Sequence, residues 1–389
     1  FVFLQLHFSA QNYQTNHFDN QWSFNRVTQS QCLGNPYHTI VLGREEMPMN
    51  APKCEAFEVD EFGQLVNARE YVTPANSPLE FLHIEPAFNG YIACGFTNNG
   101  STTVPVVAVL SPALDVVEAG VYPGFYLDDD NTSYTANGVA MHITTDGQQG
   151  FVVSGIIGDD DLLQSGAAGK RFAMAMRLKP DLSVEWVRAF SGGTPWSGED
   201  MDAFNHGADI LDGTKFFFSG SFNSMDCNQE AAAVMLDGSG NLSWAYRYSN
   251  QDGGAHNSLS GDIVFDYQSE KIHQLVNNSI THTWGLATWD LSGNLDLGKT
   301  WNSQYSDLNW QGLSLLQSPL DPNKLVVGGF QRTHGWSGFY GTVPFLTEIK
   351  LNSGSVSQSS RYLIPQNNGL INASVDALSL FNGQQAQFR

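Results

Sequence analysis

Short apolar runs alternate with polar turns carrying Asp or Gly along almost the whole chain, and the alternation is periodic. One unit recurs: an apolar strand, a polar turn, then a second strand with an aromatic residue near its end. It reads CEAFEVDEFGQLVNAREY from Cys54, AAAVMLDGSGNLSWAYRY from Ala231 and WGLATWDLSGNLDLGKTW from Trp284. Looser copies are VVAVLSPALDVVEAGVY, FAMAMRLKPDLSVEWVRAF and PFLTEIKLNSGSVSQSSRY. The first apolar residue after each turn is Leu65, Val116, Val184, Leu242, Leu295 or Val356, so six units follow one another at intervals of 51 to 68 residues.

Two further strand-like runs precede each hairpin. GYIACGFT, GFVVSGII, KFFFSGSF, KIHQLVNN and KLVVGGFQ come directly ahead of theirs, and ANGVAMHI, HGADIL, SGDIVF and QGLSLL lie ahead of those. Four short strands per unit at a regular period predict an all-β fold, a β-propeller of four-stranded antiparallel blades. The blades are expected at about 20–73, 79–122, 136–191, 204–249, 259–302 and 310–364. Residues 372–389 read as the start of a seventh, giving six blades plus a partial seventh. The alternative is a closed six-bladed ring in which the last strand joins blade one. Asp209, Asp262 and Ser314, at the inner strands, are expected close to the central channel.

The pairing of GFVVSG-like strands with hairpins such as MLDGSGNLSW (Met235–Trp244) resembles the secreted repeat propellers common in Bacteroidota and related bacteria. Those proteins are often exported by the type nine secretion pathway and carry a C-terminal sorting domain. The resemblance covers about residues 20–381 and implies a propeller fold and export, not an activity. The Asp–Gly–aromatic spacing differs from that of sialidase-type and quinone-binding propellers, and Trp186 and Trp244 on outer strands are expected to pack blade against blade.

Composition narrows the classes of function. Net charge is −21 and charged residues make up only 15% of the chain, so a partner bound through phosphates is excluded and no nucleic acid is expected. With 41% hydrophobic and 12% aromatic residues, the chain can fill a large core. No apolar run is long enough to form a membrane-spanning helix, and a monomer is expected. Phe1–Ala10 reads as the tail of a secretory signal peptide, with a buried first strand as the alternative. Export to the cell surface or medium would let Cys32 and Cys54 pair, whereas Cys94, inside YIACGF, reads as a small buried hydrophobe.

Long loops should gather on one face, between strands two and three and between blades. They hold the candidate ligand-binding residues Trp196, Asp200, Asp202, His206, His334, Trp336 and Tyr340, a mixture of acids and aromatics suited to stacking on sugar rings. Asp128, Asp130, Asp159 and Asp161 are the candidate metal ligands, with calcium the expected ion because it takes several carboxylate oxygens. The main expectation is an exported, non-catalytic module binding glycan or protein. A secreted carbohydrate-active hydrolase or lyase, with Asp200 and Asp202 as acid and base, is the second reading. A structural spacer in a larger surface protein is the third.

Overall fold

Neighbouring strands joined by short turns pair at once, so each unit folds as an antiparallel meander. The computed structural model describes residues 22–29, 38–45, 53–60, 64–73, 77–99, 102–123, 125–129, 132–158, 171–191, 202–222, 230–248, 258–278, 283–302, 310–318, 321–334, 340–361, 378–381 and 385–388. Blade one comprises β1 (Trp22–Gln29), β2 (Thr39–Glu45), β3 (Lys53–Val59) and β4 (Leu65–Tyr71). Blade two comprises β5 (Leu79–Ala87), β6 (Gly90–Asn99), β7 (Thr102–Leu110) and β8 (Val116–Val121). Blade three holds β9 (Phe125–Asp129), β10 (Thr132–Thr145), β11 (Phe151–Gly158), β12 (Arg171–Leu178) and β13 (Val184–Phe190). Blade four is β14 (Ala203–Asp209), β15 (Lys215–Phe222), β16 (Glu230–Asp237) and β17 (Leu242–Tyr248). Blade five is β18 (Ser258–Asp266), β19 (Lys271–Asn278), β20 (Thr283–Asp290) and β21 (Leu295–Asn302). Blade six is β22 (Trp310–Gln317), β23 (Lys324–His334), β24 (Tyr340–Lys350) and β25 (Ser355–Arg361). A two-stranded sheet follows, β26 (Leu378–Phe381) with β27 (Gln385–Phe388).

The first strands of successive blades lie side by side around a ring. β1, β5, β10, β14, β18 and β22 each contact the next, and β26 contacts both β22 and β1. Six complete blades and a partial seventh therefore surround the axis, and the C-terminal strand forms a sheet of its own rather than joining blade one. No helix occurs among the described residues.

The core lies between blades, so the strands are buried on both faces. In β15, Phe216 and Phe218 pack with Val152, Ala173 and Trp186 of blade three, while Phe217 packs with Ile272 and Trp289 of blade five. The outermost strands are exposed, and the six residues that mark the repeat sit there: Leu65 and Leu242 are each 56% accessible.

A latch repeats at the outer hairpins. The turn Asp237–Asn241 is closed by Asp237 Oδ1, which accepts from the N–H groups of Ser239 and Asn241, and Asp290 does the same with Ser292 and Asn294. The left-handed position of this turn is Gly240 (φ 77°) or Gly293 (φ 87°), while Leu114 (φ 65°) and Leu182 (φ 57°) hold it in blades two and three. Each turn's carbonyls accept from an aromatic side chain of the preceding blade: Tyr71 to Leu114, Tyr122 to Leu182, Trp186 to Gly238 and Trp244 to Leu291, all at 2.9–3.2 Å. Trp186 and Trp244 are thus inter-blade packing residues.

Three sequence expectations are corrected. Blade three has a fifth strand, since FYLDD pairs with the first half of β10, whose second half pairs with β11. Asp128 and Asp129 therefore belong to a strand, opposite Ser133 and Thr132, rather than to an open loop. Cys54 is a free thiol, buried beneath the Phe81 N–H at 3.2 Å, so it makes no disulfide with Cys32; burial pushes its pKa up to about 12. His334 and Tyr340, read as loop residues, are opposed across an extended β23–β24 ladder. Cys94 is fully buried, as expected.

Candidate active site

The glycines of the second strands shape the site. Gly95 stands opposite Phe81, Gly155 opposite Ala140 and Gly220 opposite Phe204, each so close that a Cβ would lie about 2 Å from an inner-strand carbonyl oxygen. At each of these points the register shifts by one residue, a β-bulge that re-aims the side chain after it. Equivalent shifts occur in β1 after Phe24, in β18 after Ser260 and in β22 after Gly312. The residues carried at or just past the bulge are Arg26, His83, His142, His206, Asp262 and Ser314. Five consecutive inner strands, from β5 to β22, thus present a polar residue at one level near mid-strand, and β1 has the same backbone shift at Arg26.

From His83 to Ser314 these side chains form a continuous arc. The rings of His83 and His142 have centroids 3.8 Å apart, and His142 meets His206 edge to face at 5.2 Å. His206 Nδ1 lies 3.6 Å from Asp262 Oδ1. The other oxygen, Asp262 Oδ2, accepts from the Leu315 N–H at 3.0 Å and from the Ser314 hydroxyl at 3.2 Å. Glu85 Oε1 lies 3.7 Å from His83 Nε2 and 3.8 Å from His142 Nε2. His83 and His142 are buried, whereas the His206 side chain is 16% exposed.

Part of this arc performs a structural duty. An inner strand has a free edge toward the axis, and its N–H groups need acceptors. Ile143 donates to His83 Nδ1 of the preceding blade at 3.3 Å, as Leu315 donates to Asp262. What that duty does not explain is three imidazoles in contact on consecutive strands, ending on a carboxylate. Such a sequence can hold and move protons. Asp262, fixed by two donors, holds a carboxylate oxygen 3.6 Å from His206 Nδ1, an electrostatic contact longer than a hydrogen bond.

Sequence reasoning reached part of this. His206 belongs to the arc, and Asp262 and Ser314 stand together at mid-strand. Asp202 is buried immediately ahead of β14. Asp209 lies at the end of β14, where burial raises its pKa to about 6 with Asp146 and Asp212 nearby. Trp196, Asp200, Trp336, Asp130, Asp159 and Asp161 lie outside the described residues, and only the backbones of Asp128, His334 and Tyr340 are described. His83, Glu85 and His142 were missed. Aligning FLHIEP, AMHITT, FNHGAD, SGDIVF and GLSLLQ in blade phase puts His, His, His, Asp and Ser in one column.

No protein-family model matches the chain, and no curated protein sequence does. Among solved structures it is similar to the periplasmic gluconolactonase of Pseudomonas aeruginosa, with TM-score 0.53 and 8% identity over 97% of this chain and 90% of that one. It is also similar to the GH93 α-L-arabinofuranosidase of Fusarium graminearum in complex with arabinobiose, with TM-score 0.50 and 12% identity over 87% and 96%. At these identities the likeness is one of fold: the chain is a β-propeller. No helix among the described residues is long and apolar enough to cross a membrane.

Proposed function

We propose that the chain is an exported hydrolase that opens an acyl bond, an ester or lactone, of a sugar-derived substrate at the inner-strand arc. The observation that carries this is the His206–Asp262 pair at 3.6 Å, with Asp262 held in turn by Leu315 and Ser314. An imidazole beside a carboxylate is the pairing that general-base attack on a carbonyl uses, and a small ring rotation would bring His206 Nδ1 into hydrogen-bond reach of Asp262. Water gives its proton to His206 Nε2 as its oxygen bonds to the carbonyl carbon. The same proton then passes to the departing alkoxide oxygen as the acyl–oxygen bond breaks. Glycosidic cleavage would instead call on two carboxyls set about 5–10 Å apart.

Trp196, Asp200 and Trp336 from the long loops, with His334 and Tyr340 from the end of the β23–β24 ladder, would then border the substrate, stacking on it and holding its hydroxyls. The non-catalytic reading rests on those loops alone and gives the arc no task beyond its edge. The test is a panel of sugar lactones and aryl esters, with the lactone of an aldonic acid, the substrate class in the Pseudomonas neighbour's name, assayed first. His206→Ala and Asp262→Asn should each lower kcat by about 100-fold or more with KM little changed. Hydrolysis of nothing in the panel by the unaltered chain, or rates in both variants equal to that of the unaltered chain, would overturn the reading.

A further inference from the structure

We propose that His83, Glu85 and His142 bind a first-row divalent transition metal between blades two and three. His83 and Glu85 are two residues apart on β5, past the bulge and in regular register, so they share a strand face. His142 reaches them from the equivalent bulge of β10. The Glu85 Oε1 contacts of 3.7 and 3.8 Å to the two Nε2 atoms are longer than hydrogen bonds. One donor atom from each residue lies within 4.8 Å of the other two. That spacing admits one ion bonded at about 2.0–2.2 Å to imidazole nitrogen and carboxylate oxygen once the two rings, stacked 3.8 Å apart and 30° from parallel, turn so that both nitrogen lone pairs meet it.

The donor set points the same way. Two imidazoles and one carboxylate suit zinc or iron and not calcium or magnesium, which take oxygen ligands. The imidazoles are buried while the Glu85 side chain is 28% exposed, so three ligands leave one side open for water or a ligand. A chain of net charge −21 draws cations inward. Besides that ring rotation, one contact opposes binding. With Ile143 N–H donating to Nδ1 at 3.3 Å, the neutral His83 ring carries its proton on Nε2, toward Glu85. Coordination through Nε2 moves that proton to Nδ1 and exchanges one long hydrogen bond for metal bonds. The site uses neither His206 nor Asp262, so it stands or falls apart from the hydrolytic reading.

The experiment strips the full chain with chelator, adds zinc, desalts it and counts metal by mass spectrometry, with calorimetric titration alongside. Cobalt(II) is added separately and its visible absorption recorded. One zinc per chain is expected, with cobalt bands of nitrogen–oxygen coordination. Glu85→Gln, a conservative change at the partly exposed ligand, should weaken zinc binding about 10–100-fold or more while circular dichroism stays native. His206→Ala should still hold one zinc. Metal no higher than the buffer blank in the unaltered chain overturns the proposal, whatever the variants do. So does zinc binding that is undiminished in both Glu85→Gln and His142→Ala.

Discussion

The backbone N–H of Ile143, in blade three, donates to Nδ1 of His83, in blade two, at 3.3 Å. Leu315 repeats the arrangement on Asp262 at 3.0 Å. In each case a side chain from one blade closes the free edge of the next, which is why polar residues occupy the inner ring at all. The same residues are then already fixed in place for chemistry.

That double duty can be separated at Asp262. In Asp262→Asn the amide oxygen still accepts from Leu315, so stability should fall by no more than about 1 kcal/mol while the partner of His206 loses its charge. In Asp262→Ala the Leu315 N–H is buried without that acceptor, and a loss of about 1–3 kcal/mol is expected. Urea unfolding of the two variants measures the difference; equal losses would mean that the Leu315 contact contributes nothing.

The hairpin latch predicts a large effect from one methyl group. Gly293 has φ 87°, and a Cβ there would stand 2.9 Å from the Trp244 ring of the preceding blade. Gly293→Ala combines left-handed strain of roughly 1 kcal/mol with overpacking of about 1–3 kcal/mol. Melting should drop by several degrees, whereas Gly298→Ala, whose nearest Cβ neighbour is the flexible tip of Leu295 at 3.4 Å, should be almost silent.

Burial should make His273 a source of acid lability. It is packed in β19 with Nδ1 against the Thr288 hydroxyl at 3.0 Å, and desolvation lowers its pKa to about 4 from 6.5. The folded protein resists the proton that the unfolded chain accepts. The stability His273 contributes is therefore complete above about pH 6.5 and declines as pH falls toward 4, by about 3 kcal/mol over that window. His273→Gln should flatten this limb in denaturation curves taken across pH 4–7; a limb of unchanged slope would remove His273 as its cause.

Asp209 should act with the opposite sign. Its carboxyl is raised to about 6, chiefly by desolvation and then by Asp146 and Asp212, against the hydrogen bond from Gly213 N–H. The folded state thus favours the protonated form, and the stability this adds is present below about pH 4 and lost as pH rises through 6. Asp209→Asn should melt higher than the unaltered chain at pH 7.5 and equal it at pH 4. Half-exposure of the group keeps the gain small.

The repeat, the all-β class, the four-strand unit and the outer hairpin can be read from the order of residues alone. Each of these depends on local physics: alternation of side chains along a strand, the closing of a turn by Asp237 or Asp290, and the need for Gly240 and Gly293 at positive φ. The inter-blade role of Trp186 and Trp244 was legible for the same reason, since an aromatic at a fixed place in each unit must meet the next unit. Other features were decided only in three dimensions. Asp128 and Asp129 became part of a strand because β10 is long enough to pair with β9 before it pairs with β11. The repeat markers Leu65 and Leu242 are exposed because they stand on outermost strands, which have no neighbour on one side. His83, His142, His206, Asp262 and Ser314 are 52 to 64 residues apart along the chain. Nothing local makes them meet. They do so because each lies at a bulge opposite its second strand, and because inner strands of consecutive blades must stand side by side around one axis.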